Sequence, residues 1–175
     1  ELGHMSLLEY LDLDHNALTG AVPADLWAGL QAHAKSIKLN NNELSGHIVM
    51  PRQIGGEWKF DGILTTIDVS ANAFTGSPVA LLYAAAANKK SCSFEASILQ
   101  SVDLSSNRFN DTIGNVVAAL AGSAVTSLAL SHNELHGPLR GEEMGCYGND
   151  RTNQLSETLI LHASHNRITG PLPTE

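Results

Sequence analysis

The chain has 175 residues, enough for one domain, and 43% of them are hydrophobic, which is ample for a core. Its formal net charge of -8 at pH 7 argues against a nucleic-acid binder, because phosphates need a basic stripe. No apolar run reaches membrane-spanning length, so no membrane span is expected in this sequence. The charge permits a basic or neutral protein partner.

The first predicted elements are a strand and a helix. Apolar and polar residues alternate in residues 10–14, which is typical of a half-buried strand. Leu26, Trp27 and Leu30 stand at helical spacing, so a helix is predicted over residues 24–34. Residues 51–62 lack periodicity and hold three glycines, which predicts a loop.

Two more helices are predicted further along the chain. Alanine dominates residues 78–88, and alanine has the highest helix propensity. Residues 113–120 predict a shorter helix. Residues 91–97 are interpreted as an extra loop, and residues 141–156 are polar and contain glycine, which predicts another.

One pattern, L-x-L-x-x-N-x-L-x-G-x-L, recurs six times along the chain. Self-similarity on this scale marks a solenoid, in which each coil buries its apolar side against its neighbours. The repeated asparagines, here called the ladder asparagines, are Asn16, Asn42, Asn72, Asn107, Asn133 and Asn166. Their spacing is irregular, so repeats two, three and five are interpreted as carrying insertions.

A glycine stands four residues after most of the ladder asparagines. The glycines are Gly20, Gly46, Gly76, Gly137 and Gly170, and Asp111 replaces glycine in repeat four. Glycine adopts positive φ without steric cost, so these positions predict turns. Aspartate tolerates positive φ better than most residues, and the same turn is expected at Asp111.

The repeat continues past the asparagine in a specific way. Residues 16–23 read NALTGAVP and residues 166–173 read NRITGPLP, while residues 42–48 and 72–76 match the same form in part. The chain therefore resembles the plant-specific class of leucine-rich repeat proteins over about residues 7–173. That family includes ectodomains of plant receptor kinases and secreted inhibitors of cell-wall-degrading enzymes. Similar repeats occur in bacterial and protist surface proteins.

The resemblance implies an α/β fold. It is a right-handed leucine-rich repeat solenoid, or horseshoe, with a parallel concave sheet of six short strands and short convex helices and loops. Residues 7–173 would form one domain of about six repeats, and residues 1–6 a cloning scar or a preceding repeat. The strands are expected to be centred on Asp12, Lys38, Asp68, Asp103, Ala129 and His162. The ladder asparagines are expected to bond backbone groups that the bend leaves unpaired.

The outward side chains of these strands form the candidate ligand-binding face. Its candidate residues are Asp12, Asp14, Lys38, Asn40, Asp68, Ser70, Asp103, Ser105, Ser131, His132, His162 and His165. The family uses this surface for protein, peptide or glycan recognition, so a protein or peptide partner is expected. The face holds few of the Trp, Tyr and Arg residues that anchor tight interfaces, and a solvated face without a partner is the alternative.

An enzyme is not expected. His132, His162 and His165 lie in neighbouring strands and could meet a carboxylate or a metal. No nucleophile motif, phosphate-binding loop or C-x-x-C pair accompanies them in the sequence. We therefore expect no catalysis, no cofactor and no metal site. A structural or adhesive segment of a longer surface protein is the alternative function.

Three further features concern location and assembly. Cys92 and Cys146 lie between repeats and form either one disulfide or two unrelated thiols. Asn110 begins an N-x-S/T triplet and is a candidate glycosylation site. Together they favour an extracellular or cell-surface location, with a cytoplasmic one as the alternative. Apolar positions in the terminal coils predict end-to-end self-association.

Overall fold

The computed structural model describes residues 4–51, 60, 63–86, 98–120, 123–139 and 160–172. Its central element is a parallel sheet of six three-residue strands that lie in chain order. They are β1 (Tyr10–Asp12), β3 (Ser36–Lys38), β5 (Thr66–Asp68), β7 (Ser101–Asp103), β9 (Ser127–Ala129) and β11 (Ile160–His162). The predicted leucine-rich repeat solenoid is confirmed.

The predicted register of this large sheet is confirmed at every pairing. Asp12 lies opposite Lys38, Lys38 opposite Asp68, Asp68 opposite Asp103, Asp103 opposite Ala129, and Ala129 opposite His162. The strands end at these residues instead of being centred on them. Backbone bonds nevertheless continue beyond the strands, since Leu13 N–H donates to Lys38 O at 2.9 Å.

The inward side chains of the strands build the core. The central residues of β1, β3, β5, β7 and β9 are at most 5% exposed, and they are Leu11, Ile37, Ile67, Val102 and Leu128. Leu161, in β11, is only partly buried. Phe74 and Phe109 stack one repeat apart, with ring centroids separated by 6.2 Å and planes inclined by 9°. Each coil therefore buries its apolar residues against the next coil.

The ladder asparagines satisfy backbone groups as predicted. Asn107 Oδ1 accepts from Phe74 N–H in the preceding repeat at 3.0 Å, and its Nδ2 donates to Val69 O at 3.0 Å. The same Nδ2 also reaches two carbonyls of its own repeat. Asn42, Asn72, Asn133 and Asn166 repeat this arrangement. Asn16 is exposed and, among the described residues, donates only to Leu13 O and Asp14 O of its own repeat.

Three helices follow the strands where the sequence predicts them, and they are shorter than predicted. They are α1 (Ala24–Leu30), α2 (Val79–Ala85) and α3 (Ile113–Ala118). Within the described ranges, none of them has the length and apolar character needed to cross a bilayer. The helices bury apolar side chains such as Trp27, Leu82 and Val116 against the back of the sheet core.

A second set of strands follows the ladder asparagines and was not predicted. β2 (Thr19–Gly20), β4 (Glu43–His47), β6 (Ala73–Gly76) and β8 (Arg108–Phe109) form a four-stranded parallel sheet. β10 (His136–Pro138) and β12 (Arg167–Thr169) form a two-stranded one. These strands have only two to five residues, and four of the six contain a repeat glycine, so neither alternation nor β propensity marks them.

The turn glycines have positive φ as predicted, between 77° and 90°. The expectation for Asp111 is wrong, because the positive-φ residues of the described part do not include it. Its carboxylate instead accepts from Ser77 Oγ, from Thr112 N–H at 2.6 Å and from Asn115 Nδ2 at 2.9 Å. Thr112 then caps α3, since its Oγ1 accepts from Asn115 N–H at 3.2 Å. Aspartate therefore directs the chain into a helix here instead of a turn.

Several predictions lie outside the described residues. They concern Cys92, Cys146 and their disulfide, the loops at residues 91–97 and 141–156, and most of the loop at residues 51–62. At the ends of the described part, Leu8 and Ile168 are partly buried, while Leu172 is 85% exposed. End-to-end self-association stays a prediction.

Candidate functional site: the concave face

The outward side chains of the large sheet form parallel columns, and we call this surface the concave face. The alternation of side chains adds one column that the sequence analysis missed, two residues before the Asp12 column. It consists of Tyr10, Ser36, Thr66, Ser101, Ser127 and Ile160. Tyr10 and Ile160 are 63% and 52% exposed, so an apolar group stands at each end of a column of hydroxyls.

The predicted site residues differ in accessibility. Asp12, His132, His162 and His165 are exposed, while Asp14, Lys38, Asp68, Ser70, Asp103, Ser105 and Ser131 are half-buried. Asn40 is only 8% exposed, and its Oδ1 has no hydrogen-bond partner among the described residues. Asn40 has the predicted column position but is nearly closed off from solvent, and its part in ligand binding stays a prediction.

Two carboxylates occupy the centre of the concave face. Asp68 and Asp103 lie opposite each other in β5 and β7. Asp68 Oδ1 accepts from the N–H of Ser70 at 3.0 Å and from its hydroxyl at 2.6 Å. Asp103 Oδ1 likewise accepts from the N–H of Ser105 at 2.8 Å and from its hydroxyl at 2.6 Å. In the described part of the chain, no ion pair involves either carboxylate.

The nearest cation of the same column is held by the first repeat. Lys38 Nζ lies 3.4 Å from Asp12 Oδ2, so the lysine pairs with Asp12 and not with Asp68. The backbone N–H of Asp14 and the Lys38 ammonium lower the pKa of Asp12 below its ordinary value, although slight desolvation opposes them. Among the described residues, Asp68 and Asp103 are therefore left without a cationic side chain beside them.

Tyr10 is accompanied by a charged pair at the first edge of the face. Lys35 Nζ lies 5.8 Å from the Tyr10 ring centroid and 2.7 Å from Glu9 Oε2. The hydrogen bond to Glu9 raises the pKa of Lys35 above its ordinary value. The Tyr10 ring therefore faces a cation while most of its surface stays exposed.

Two histidines are brought together at the other edge. The rings of His132 and His165 stack with centroids 4.2 Å apart and planes inclined by 14°. Ser164 Oγ donates to Ser131 Oγ at 3.0 Å beside them. His162 belongs to a different column, opposite Ala129. Among the described residues, no group of three His, Cys, Asp or Glu side chains could hold a metal ion.

The residue before every ladder asparagine has a left-handed backbone, which the sequence analysis did not predict. These residues have φ between 50° and 57°, and they are His15, Asn41, Ala71, Ser106, His132 and His165. Histidine and asparagine adopt this conformation more readily than most residues, so their recurrence at four of the six positions is a weak signal in the sequence. His132 and His165 both have this backbone conformation, and their rings stack.

Comparisons with known proteins agree with this architecture. A family model described as Leucine Rich Repeat matches residues 7–28. Receptor-like protein 35 of Arabidopsis thaliana is 29% identical over 169 residues, which are 96% of this chain and 14% of that protein. Receptor-like protein 7 of the same plant is 32% identical over 132 residues, which are 75% of this chain and 11% of that protein.

The chain belongs to the leucine-rich repeat family, and its repeats are of the plant-specific class. The solved ectodomain of the Arabidopsis receptor kinase HAESA shares its fold, with a TM-score of 0.66 and 23% identity over 98% of this chain and 24% of that one. That structure is a complex with an IDA peptide hormone. This leucine-rich repeat chain spans 14% and 11% of the length of its two receptor-like relatives.

Proposed function

We propose that the chain is a non-enzymatic recognition module that binds a protein or peptide through the concave face of its solenoid. One observation carries this proposal above the others. Two adjacent, half-buried carboxylates, Asp68 and Asp103, are fixed by serine hydrogen bonds and have no cationic partner among the described residues. An extracellular setting is part of the proposal, because the relatives are receptor-like proteins.

The backbone beneath the concave face is rigid, which favours binding. Neighbouring strands pair in unbroken register, and ladder amides close the bend below them. Side chains on such a frame lose little further conformational freedom when a ligand docks, so less affinity is lost to ordering. A peptide that lies across the strands would contact the outward side chains of each repeat in turn.

Charge is unevenly distributed along this path. Asp68 and Asp103 occupy neighbouring strands, about 4.8 Å apart. Two carboxylates at this separation repel each other, and a cationic group between them relieves the repulsion. The stacked His132 and His165 lie nearer the β11 edge of the face. The central carboxylates and these histidines differ in chemistry, which gives a bound peptide a preferred direction.

Anchors for the ligand stand at the ends of the column that runs from Tyr10 to Ile160. Exposed aromatic and aliphatic side chains supply much of the binding energy at interfaces when a partner covers them. Tyr10 and Ile160 are the exposed apolar members of that column. A ligand with an apolar group at one end and a basic group near its middle fits the concave face best.

The test uses peptides selected from a random display library on the wild-type chain. Dissociation constants are then measured by calorimetry for the double variant Asp68→Ala, Asp103→Ala. We expect binding to weaken by about tenfold or more, because a charge-assisted contact is lost. The matched control is Asp25→Ala with Glu43→Ala, which removes two exposed carboxylates elsewhere and should leave binding unchanged.

Two results would contradict the proposal. One is equal binding by wild type and the concave double variant, provided that circular dichroism shows the fold is kept. The other is a loss of binding that follows only from changes in the predicted loops at residues 51–62 or 141–156. The absence of an enzyme activity stays a prediction, as does the alternative of a structural or adhesive role.

A further inference from the structure

Asn110 has the surroundings that an N-glycosylation site requires. Asn110-Asp111-Thr112 is the one N-x-S/T triplet in the sequence. The Asn110 side chain is exposed, and its backbone N–H is satisfied by Gly76 O at 3.1 Å. Asn107, three residues earlier, is 8% exposed and commits its amide to the ladder. A sugar on Asn110 would therefore leave the hydrogen bonds of the ladder asparagine Asn107 intact.

The triplet lies at an interruption of the second set of strands. β8 pairs with β6, and β10 pairs with β12. Between these two sheets, an isolated parallel bridge joins Thr112, which follows β8, to His136 of β10. At this point Asp111 departs from the repeat and directs the chain into α3. Asn110 is thus the last residue before a bend, outside any strand or helix.

We propose that Asn110 carries an N-linked oligosaccharide, an inference that rests on the extracellular location proposed above. The donor is a lipid-pyrophosphate-linked oligosaccharide, and the transfer is made by the oligosaccharyltransferase of the secretory pathway. The anomeric carbon of the donor sugar bonds to Asn110 Nδ2, and its bond to the pyrophosphate breaks. The lipid pyrophosphate leaves with the electron pair, and the amide nitrogen loses one proton.

The position of this glycan agrees with binding on the concave face. Asn110 lies beyond the ladder asparagine of its repeat, whereas the concave columns all lie before it. The oligosaccharide would cover the flank formed by β8 and the start of α3. Ligand access to Asp68 and Asp103 would remain open. The glycan therefore restricts a partner to the concave side without taking part in recognition.

Occupancy is tested by translating the chain, preceded by a signal peptide, in the presence of endoplasmic-reticulum microsomes. We expect a shift of one glycan on a gel, which peptide N-glycosidase removes. Asn110→Gln and Thr112→Ala should abolish the shift, and Thr112→Ser should restore at least part of it because the hydroxyl is kept. Microsomal occupancy does not depend on folding, so an unstable variant remains informative. No shift in wild type, or a shift that survives in Asn110→Gln, would overturn the proposal.

The folded protein supplies the second test. The purified glycoprotein and its enzymatically deglycosylated form should melt within about a degree or two of each other, and they should bind the selected peptides with equal affinity. A glycan that blocks peptide binding would place Asn110 against the concave face and overturn the assignment. If peptides fail to bind either form while Asn110 is occupied, the proposed function fails and the glycosylation stands.

Discussion

The two faces of the large sheet are built from the same strands, yet they follow different rules. On the inward face, Leu128 and Leu130 are fully buried, and the same positions are apolar in every repeat. On the outward face, Ala129 lies between these leucines and Ser131 follows them, and the matching residues of other repeats differ in charge and size. Stacking fixes the inward residue types because each must fit its neighbours. The outward residues are free to vary, and that freedom is where recognition chemistry can be placed.

The largest expected effect tests the inward face. Leu130→Ala should lower the free energy of unfolding by about 2–5 kcal/mol, because it removes a buried side chain and leaves a cavity. Ser131→Ala, one residue along on the outward face, should change it by less than about 0.5 kcal/mol. Urea denaturation followed by circular dichroism measures both. Equal midpoints for Leu130→Ala and wild type would mean that the two faces are wrongly assigned.

The next largest effect concerns the hydrogen bonds by which the ladder asparagines join neighbouring repeats. Asn133→Ala leaves Phe109 N–H without its 3.0 Å acceptor in a buried setting, so a loss of about 1–3 kcal/mol is expected. Asn16→Ala is the matched control, because that exposed amide bonds only carbonyls of its own repeat. Its loss should stay below about 1 kcal/mol. Similar losses for both variants would show that bonding between repeats adds nothing.

A third variant pair examines the glycine turns that follow the ladder. Gly76 has φ of 77°, and a Cβ there would collide with the His47 ring, whose Cε1 would lie at 2.7 Å. Gly20 has φ of 81° and nothing within 4 Å of such a Cβ. Gly20→Ala therefore reports backbone strain alone, about 1–2 kcal/mol. Gly76→Ala should cost up to about 1 kcal/mol more, since the exposed His47 can partly move aside.

The double variant Gly76→Ala, His47→Ala separates the backbone strain at residue 76 from the collision with the His47 ring. Without the His47 ring, Gly76→Ala should lower the melting temperature only as much as Gly20→Ala does. If the double variant remains as unstable as Gly76→Ala alone, the collision with His47 is not the cause. Melting temperatures of the variants and of His47→Ala alone are sufficient to decide this.

The same contrast explains what the sequence could predict. The inward columns and their register follow from a spacing that recurs in each repeat, so the fold and the Asp12-to-His162 column are confirmed. The second set of strands was missed because backbone pairing alone defines it, without any alternation of side chains. Tyr10 and Ile160 could have been found by counting two residues back from Asp12 and His162.

The outward details could not be read from the sequence in the same way. Asn40 and Ser70 occupy equivalent positions, but only Asn40 is closed off from solvent, which depends on packing by neighbouring repeats. The stacking of His132 on His165 depends on a left-handed backbone at both residues. Such a conformation at a non-glycine residue leaves only a weak trace in residue type. The repeat pattern therefore predicts the backbone fold well, but it predicts the exposure and contacts of the outward side chains poorly.

The smallest expected effect is a pH dependence where the repeat pattern breaks. Burial acts to raise the pKa of Asp111, but hydrogen bonds from Ser77, Asn115 and Thr112 outweigh it and hold the pKa below the ordinary value. A carboxyl whose pKa is lower in the folded state stabilises the fold above its unfolded pKa, near 4. That contribution is lost as the pH falls through the folded pKa. The carboxyl is partly exposed, so solvent screening keeps the effect small.

Asp111→Asn shows whether this carboxylate is responsible. The variant should unfold more readily than wild type at pH 7, and the difference should shrink as the pH falls from about 5 to 3. Asp25→Asn is the control, because Asp25 is an exposed carboxylate on α1 with none of these hydrogen bonds. Denaturation at several pH values measures the slopes. A difference between wild type and Asp111→Asn that stays constant over this range would assign the effect to the changed helix start, and the charge of Asp111 would then have no part in it.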